Sequence, residues 1–301
     1  MNKIVVLMGG VSSEREVSLV SGTNVAEALK SLGKYEVTAL DLTEERLPEL
    51  PVGTDKVYIA LHGGWGENGG VQEALNRLKI PYTGPGVKAS QIAMDKIATK
   101  ETLKAFGVPT AEFAFLTKDE TDVDIELPVV VKAPKEGSSV GIYKCDTKEE
   151  LTLAISKAQE IDADSLALVE KYIPGREFTV AVVDGKAWPV IEIVAKNGWY
   201  GYEEKYNSEE TRYPFLEPTT ENLPLIEKMQ KLATEAYNAV GCRGVTRVDF
   251  RVTPEGEAFV LELNTSPGFT SHSLVPKSGM KTGLSFAEVC DTILMKADYD
   301  R

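Results

Sequence analysis

The sequence feature that most restricts the fold is a predicted hairpin over residues 245–264, whose two apolar arms carry four polar side chains. Arg247 and Asp249 lie in the first arm, and Glu262 and Asn264 lie in the second. The Thr-Pro-Glu-Gly run between the arms predicts a turn. Because side chains alternate faces along a strand, the two polar residues of each arm share one side of it. If the two sides coincide, three oxygen ligands and a guanidinium group face one spot.

Two carboxylates and an amide carbonyl suit Mg²⁺, which keeps several waters and takes further ligands from substrate phosphates. Arg247 cannot bind the metal but can hold an anion beside it. The alternative is an ordinary amphipathic hairpin with a solvated face, since alternating charge is common on strands. The segment directly after the hairpin, residues 265–273, is rich in glycine and hydroxyl side chains. It offers N–H and O–H donors to substrate oxygens, which favours a binding site.

Composition limits the class of protein. A chain of 301 residues with 43% hydrophobic and 26% charged residues is typical of a globular protein of two or three domains. The net charge of −13 argues against a nucleic-acid partner or an anionic membrane surface. The apolar run at 4–8 is shorter than that of a signal peptide, and no segment reaches membrane-spanning length, so we expect a cytoplasmic protein. The three cysteines lack metal-type spacing and are expected to be reduced.

The first part of the chain predicts a doubly wound α/β domain. Strands are expected at 3–7, 35–41 and 56–61, with a helix after the first strand that stops near Gly33 and another at 71–78. Ligands of such sheets gather at the carboxyl ends of the strands.

Two candidate ligand-binding residues follow strands of this domain. Glu14 has an alternative role as a first-turn acid, because Ser13 and Glu16 have the spacing of a capping box. His62 opens a nine-residue loop with five glycines, which would let the backbone approach a ligand closely. A loop histidine that only hydrogen-bonds to backbone is an equally good interpretation of His62.

A turn cluster at 81–86 and a shift in composition place the first domain boundary after residue 95. The next region, 96–176, predicts an α+β unit with strands at 112–116, 127–133, 141–145 and 166–173 and a capped helix at 147–160. Lys132 ends a very apolar strand, where an unpaired ammonium is costly to bury, so a phosphate is expected to be its partner. The flexible, donor-rich loop at 136–139 could close over a triphosphate or could simply be a polar hairpin tip. The strand end at 169–173 offers an apolar slot and a carboxylate for adenosine.

The last region, 177–301, predicts a second α+β unit. Strands are expected at 177–183 and 186–194, and helices at 222–240 and from 285 to about 299. A long polar and aromatic loop at 197–217 is expected to form an ordered lid.

Taken together, these features resemble the ATP-grasp superfamily and, more closely, the family of D-alanine–D-alanine ligases. The resemblance covers residues 5 to about 275 and rests on motifs that occur in the same order here: Val17-Ser18, His62-Gly63, Gly66-Glu67, Pro81 to Gly84, Met94-Asp95-Lys96, Glu136 to Ser139, Glu177 to Val180, Lys205-Tyr206, and Glu262 to Gly268. It implies an ATP-grasp fold of a doubly wound parallel-sheet domain and two α+β units that enclose ATP.

The resemblance also implies a reaction. ATP phosphorylates the carboxylate of one D-alanine, and the amine of a second D-alanine attacks the acyl phosphate to give a dipeptide for peptidoglycan synthesis. The cofactors implied are ATP and two Mg²⁺ ions, with Mn²⁺ as a substitute, and the oligomer implied is a homodimer. Asp249, Glu262 and Asn264 would hold the metal. The residues implied in nucleotide binding are Lys96, Lys132, Ser138, Ser139, Glu170, Lys171, Tyr172, Ile173, Glu177 and Lys205.

The remaining residues implied by the resemblance act on D-alanine. Glu14 and His62 would bind the first molecule, and Ser273 and Leu274 the carboxylate of the second. The N–H of Gly268 would join Arg247 as an oxyanion hole. Glu14, Ser138 and Tyr206 would hydrogen-bond together and close the lid, which excludes water.

Two alternative functions remain. One is an ATP-grasp ligase with a different second substrate, such as D-lactate or D-serine; the Lys205-Tyr206 pair favours the dipeptide-forming type. The other is a non-catalytic sensor of ATP or an amino acid. A sensor has little need of the metal-binding residues together with both Lys96 and Lys132.

Overall fold

The structure is a computed structural model of the chain and describes residues 1–137, 140–195 and 210–300. Its first sheet is parallel, with strand order β2-β1-β3. The strands are β1 (Asn2–Gly9), β2 (Tyr35–Leu42) and β3 (Lys56–Ile59), and helix α1 (Arg15–Ser31) connects the first two. Alternate residues of β1 enter two different cores, so the sheet is covered on both faces. The doubly wound prediction is confirmed.

Three helices lead away from this sheet: α2 (Gly70–Leu78), α3 (Val87–Met94) and α4 (Lys96–Ala105). Asp95 caps α4, because its carboxylate accepts the backbone N–H groups of Ile97 and Ala98. This cap fixes the first residue of α4, Lys96, at the edge of the second sheet, where its backbone N–H donates to the carbonyl of Pro134.

The second sheet is antiparallel, in the order β4-β7-β5-β6. Its strands are β4 (Phe113–Leu116), β5 (Val129–Lys132), β6 (Ile142–Cys145) and β7 (Ala167–Lys171). Helix α5 (Lys148–Ile161) packs on it and begins with the predicted capping box of Thr147 and Glu150.

The third sheet is antiparallel as well, in the order β10-β8-β11-β12, with β9 paired to β8. Its strands are β8 (Arg176–Val183), β9 (Lys186–Ala187), β10 (Ile191–Ile193), β11 (Val245–Val252) and β12 (Ala258–Asn264). Helix α6 (Leu223–Val240) covers the face that carries Phe178, Val180, Val248 and Phe250. The residues between these apolar positions project from the opposite face, which therefore carries the polar side chains.

Two helices complete the chain, α7 (Leu274–Lys281) and α8 (Phe286–Met295). The prediction that the last helix reaches residue 299 is wrong, because the chain leaves the helix and Asp298 pairs with the backbone of Tyr82. The strand predicted at 186–194 is divided into β9 and β10 around Pro189, which has no N–H for the ladder. None of the helices in the described ranges is long and apolar enough to cross a membrane.

Candidate functional site

The hairpin has the register that brings its polar residues together. Arg247 is paired with Asn264 and Asp249 with Glu262, so all four side chains lie on one face, as predicted. The guanidinium of Arg247 donates two hydrogen bonds to Asp249, from Nε to Oδ1 at 2.9 Å and from Nη2 to Oδ2 at 2.8 Å. Thr179 of the neighbouring strand β8 donates to Oδ1 of Asp249 at 2.6 Å. The carboxylate is therefore fixed from two strands.

A first cleft lies between the second sheet and this face of the hairpin. It encloses about 790 Å³ including its open mouth, which is a typical size for a small-molecule site. Most of the residues predicted to bind nucleotide or metal line it: Lys132, Glu170, Lys171, Tyr172, Ile173, Glu177, Asp249 and Glu262, together with Arg247. Lys96 lies nearby, where its Nζ donates to the carbonyl of Glu136 at 2.6 Å and is 3.7 Å from a carboxylate oxygen of Glu262.

The floor of the first cleft contains a buried cluster of Lys100, Lys132 and Glu170. Nζ of Lys132 is 3.1 Å from each carboxylate oxygen of Glu170, so the expectation that its ammonium lacks a partner within the protein is wrong. Nζ of Lys100 is 3.4 Å from Oε2 of the same carboxylate. Burial alone would raise the pKa of Glu170, but the two ammonium groups outweigh it and hold this pKa below its ordinary value. Burial lowers the pKa of Lys100 to about 8.

One carboxylate oxygen of Glu170 is a hydrogen-bond acceptor without a well-placed donor among the described residues. Its Oε1 is buried and, among the described residues, receives no hydrogen bond of good geometry, although the ammonium of Lys132 is near. A buried acceptor of this kind is costly unless a ligand donor reaches it.

Tyr172 and Arg251 form the wall at the other end of the first cleft. Nη2 of Arg251 donates to the hydroxyl of Tyr172 at 3.2 Å, and Nε donates to the carbonyl of Ile173 at 3.2 Å. Arg251 also lies 3.4 Å from Glu177. Sequence reasoning missed Arg251, although the alternation that selects Arg247 and Asp249 places it on the same side of β11.

Glu177 is a carboxylate of the first cleft whose pKa is raised by burial. Burial raises its pKa to about 7, the guanidinium of Arg251 lowers it, and the charge of Asp249 raises it further. The carboxyl group therefore changes charge near neutral pH, and a hydrogen-bond donor from a ligand would stabilise its ionised form.

A second pocket adjoins the first cleft at Arg247, which lines both. It lies between the glycine-rich loops of the first domain and the segment after the hairpin. The predicted residues that line it are Glu14, His62, Asn264, Gly268, Ser273 and Leu274. The residues predicted to bind the nucleotide and those predicted to bind D-alanine are thus divided between two adjoining spaces.

His62 lines the second pocket and also hydrogen-bonds to backbone. Its Nδ1 is 2.8 Å from the carbonyl oxygen of Ser266, which can only accept, so Nδ1 carries the proton. Nε2 then accepts from the hydroxyl of Ser21 at 3.2 Å, and that hydroxyl accepts the backbone N–H of Phe269 at 3.0 Å. Ser21 was not predicted. Its signal is helical spacing, since it follows Ser18 and Val17 by one turn.

Glu14 occupies the position before α1, and its side chain makes no capping hydrogen bond there. The capping box proposed for Ser13 and Glu16 is therefore wrong. Instead, Glu14 points to the second pocket: a Cβ added at Gly63 would be 2.9 Å from its Oε2, and one added at Gly137 would be 3.5 Å away. Gly63 also has a φ of 67°, which a side chain would disfavour.

The segment after the hairpin is held at short range by its own side chains. A Cβ added at Gly268 would be 2.8 Å from Oγ of Ser273, and that oxygen accepts the N–H of Thr270 at 2.9 Å. Ser273 occupies the N-cap position of α7 but makes no side-chain capping hydrogen bond there, and Leu274 is the first residue of the helix. The N-terminus of α7, where backbone N–H groups are not used within the helix, therefore points to the second pocket.

Four predicted residues lie outside the described ranges: Ser138, Ser139, Lys205 and Tyr206. Most of the lid predicted at 197–217 lies there as well.

The donor set on the hairpin is compatible with a hard cation. Three hydrogen bonds from Arg247 and Thr179 reach the Asp249 carboxylate, which has about four acceptor positions. Nζ of Lys96 lies 3.7 Å from a carboxylate oxygen of Glu262. Within the described ranges, no three His, Cys, Asp or Glu side chains form a metal-binding group, so a metal here needs the amide of Asn264 and substrate oxygens as well.

Comparisons with known proteins agree with this geometry. A family model described as "D-ala D-ala ligase C-terminus" matches residues 102–295. A D-alanine–D-alanine ligase of Herminiimonas arsenicoxydans is 45% identical over 98% of this chain and 91% of its own length. One of Haemophilus ducreyi is 43% identical over 97% of each chain.

Solved structures give the same result. The D-alanine–D-alanine ligase of Bacillus anthracis matches with a TM-score of 0.85 and 35% identity, over 98% of this chain and 97% of that one. Its structure in complex with ATP matches with a TM-score of 0.83 and 33% identity, over the same shares of each chain. The chain therefore belongs to the family of D-alanine–D-alanine ligases.

Proposed function

We infer that this protein uses ATP to join two D-alanine molecules into D-alanyl-D-alanine, with release of ADP and phosphate, and that the dipeptide serves peptidoglycan synthesis. The observation that carries this proposal is the position of Arg247 at the junction of two spaces. One space suits a nucleotide and the other suits a small zwitterion, so the reacting carboxylate can meet the γ-phosphate beside a fixed guanidinium group.

ATP occupies the first cleft in this proposal. The adenine lies against the backbone of Lys171 and the side chains of Tyr172 and Ile173, and its exocyclic amine donates to the buried Oε1 of Glu170. The ribose hydroxyls donate to Glu177. The phosphate oxygens are held by Lys132 and Lys96, together with Ser139 and Lys205, which lie outside the described residues.

Asp249, Glu262 and Asn264 hold Mg²⁺, with two ions bound in the presence of ATP and Mn²⁺ as a substitute. When bound, the metal neutralises the charge of the β- and γ-phosphates during transfer. On the protein side, Arg247 balances the negative charge of Asp249 through a salt bridge. Lys96 lies close to Glu262 and balances its charge.

The second pocket receives both D-alanine molecules. Glu14 pairs with the ammonium of the first, and His62 lies near its carboxylate. The carboxylate of the second molecule binds at the N-terminus of α7, through Ser273 and the N–H of Leu274. Ser138, Tyr206 and Glu14 close the lid over the site, so that water does not reach the acyl phosphate.

The reaction has two steps. An oxygen of the first carboxylate attacks the γ-phosphorus, and ADP leaves. The amine of the second D-alanine then attacks the carbonyl carbon of the acyl phosphate, and the C–O bond to phosphate breaks as the amine loses a proton. The negative charge on the tetrahedral oxygen is stabilised by Arg247 and the N–H of Gly268.

Three further properties belong to this proposal. The chain is divided into domains at residues 1–95, 96–176 and 177–301. The protein acts in the cytoplasm, where its substrates are soluble, and it forms a homodimer. Sedimentation equilibrium of the purified chain tests the dimer directly.

Phosphate release with ATP and Mg²⁺ tests the activity, with products identified by mass spectrometry. The arms are D-alanine alone, D-alanine with D-lactate, L-alanine, and no amino acid. We expect phosphate and D-alanyl-D-alanine in equal amounts from D-alanine alone.

Release only with D-lactate would contradict the product assignment but keep the mechanism. ATP binding without phosphate release in any arm would contradict the enzyme and favour a sensor. A Lys132→Ala protein that turned over normally would show that the nucleotide site is misplaced.

A further inference from the structure

We propose that Lys100 is a positioning residue of the nucleotide cleft: by sharing the Glu170 carboxylate with Lys132, it keeps the charge of Lys132 available for nucleotide phosphates. The proposal rests on the assignment of the first cleft to ATP. Lys100 acts on the cleft only through the residues that it contacts.

Lys100 is held in one geometry from several sides. It is completely buried, and its Nζ donates to Oγ1 of Thr110 at 2.6 Å. It lies 3.4 Å from Oε2 of Glu170 and 5.6 Å from the centre of the Phe113 ring. A fully buried lysine is rare unless it is paired, because desolvation of an ammonium group is costly. A methionine or leucine would fill this volume at no such cost.

The position of Lys100 connects the elements that carry the phosphate-binding groups. It lies on helix α4, one turn after Lys96, and Glu170 lies on strand β7. Thr110, which accepts from Lys100, donates in turn to the carbonyl of Val260 at 2.8 Å. Val260 is two residues before Glu262 on strand β12. Lys100 therefore contacts, directly or through one hydroxyl, the strands on both sides of the cleft.

The net charge of the buried cluster determines how strongly the site around Lys132 attracts an anionic ligand. Two ammonium groups and one carboxylate give a net charge of +1 around Glu170. Without Lys100, the carboxylate would neutralise Lys132 alone, and the net charge would be zero. In a site of low effective dielectric constant, that difference acts on a polyphosphate but hardly on an uncharged nucleoside.

A purely structural lysine is the competing explanation, and the ligand's charge separates the two. We would measure the inhibition constants of ADP and of adenosine against ATP, by phosphate release at pH 6.5, for the wild-type protein and Lys100→Met. The ratio of the two constants isolates the contribution of the phosphates, because the adenine and ribose contacts cancel.

We expect the inhibition constant of ADP, divided by that of adenosine, to rise about tenfold in Lys100→Met. This is the effect of one unit charge several ångströms away in a partly buried site. ADP and ATP should bind more weakly, adenosine should be unaffected, and the KM for D-alanine should remain the same. In Lys100→Met/Glu170→Gln, the net charge of the cluster returns to +1, and the ratio should return towards the wild-type value.

Thr110→Val is the matched control. It removes the hydrogen bonds that connect Lys100 to Val260 but leaves both charges of the ion pair. We expect a lower thermal stability and an unchanged ratio of inhibition constants. If Thr110→Val changed the ratio as much as Lys100→Met, the effect would be due to geometry rather than charge, and the proposal would be wrong.

The wild-type protein gives a test without any substitution. The groups that face Lys100 are Glu170 on β7, Lys132 on β5 and Glu262 on β12. Burial, opposed by Glu170, sets the pKa of Lys100 at about 8. As the pH rises through 8, the cluster loses its positive charge, so the inhibition constant of ADP should rise while that of adenosine does not. Lys100→Met should lack this difference.

The outcomes are distinct from those of the proposed function. Equal weakening of ADP and adenosine in Lys100→Met, or no change in either, would overturn the role of Lys100 even if the ligase activity is established. Failure of the double variant to recover the ratio would also overturn it. If the wild-type protein released no phosphate with D-alanine, the same ratios would be measured by calorimetric binding, and only the reaction would be in question.

Discussion

Glu177 is expected to make the stability of this protein depend on pH in a direction opposite to that of most carboxylates. Burial raises its pKa from 4.5 to about 7, against the influence of Arg251. Between these two values the folded protein binds more protons than the unfolded chain. The stabilisation by the protonated form is therefore fully present below pH 4.5 and is lost as the pH rises through about 7.

The difference between the two pKa values corresponds to about 3 kcal/mol in the free energy of unfolding, most of it lost between pH 5 and pH 8. Glu177→Gln removes this titration and keeps an oxygen that can accept from Arg251. The variant should therefore be close to the wild-type protein in stability at pH 5 and more stable than it at pH 8.

Urea unfolding at a series of pH values, followed by tryptophan fluorescence, measures the difference between the two proteins at each pH. Comparison within each pH cancels the titration of all other groups. A second variant, Arg251→Met, removes the cation that lowers the pKa of Glu177 and should extend the loss of stability to higher pH. A constant difference between Glu177→Gln and the wild-type protein from pH 5 to pH 8 would refute the reasoning.

Three other substitutions test the second pocket and the metal. Gly268→Ala places a Cβ 2.8 Å from Oγ of Ser273. We expect kcat to fall about 100-fold because the loop is displaced. If the clash is the cause, Gly268→Ala/Ser273→Ala should be no less active than Ser273→Ala alone. Ser21→Ala leaves the buried N–H of Phe269 and Nε2 of His62 without the hydroxyl that pairs with them. We expect the free energy of unfolding in urea to fall by about 1–3 kcal/mol. The KM for D-alanine should rise, and the KM for ATP should not change. Asn264→Ala should raise the Mg²⁺ concentration that gives half-maximal phosphate release, and an unchanged Mg²⁺ titration would exclude the amide as a ligand.

The hairpin could be predicted from the sequence because its information is local. A period of two along each arm determines which side chains of that arm share a face, and the turn signal between the arms predicts that they pair. The pairing of Asp249 with Glu262 needs one further feature that the sequence does not reveal, a register shift between Asp249 and Phe250. The alternation of side chains along β11 also places Arg251, a residue that sequence reasoning did not identify, on the side of Arg247 and Asp249.

The buried cluster could not be predicted in this way, because its partners are distant in the sequence. Lys100 on helix α4 and Glu170 on strand β7 are 70 residues apart in the sequence and meet only in the folded chain. On the helix, Lys100 is only one of several lysines, and no periodicity distinguishes a buried one from a solvated one. Lys132 was recognised by its apolar strand, but the carboxylate that pairs with it lies on a different strand.

The hairpin also explains why the proposed metal site and the proposed oxyanion site lie next to each other. Asp249 fixes the guanidinium of Arg247 through two hydrogen bonds, and the same carboxylate is a ligand in the proposed metal site. A metal at Asp249 would draw electron density from the carboxylate and weaken its hold on Arg247, which makes the guanidinium a better donor to a developing oxyanion. Since Arg247 lines both spaces, the loading of the nucleotide cleft can in this way alter the donor at the D-alanine carboxylate without any movement of the backbone.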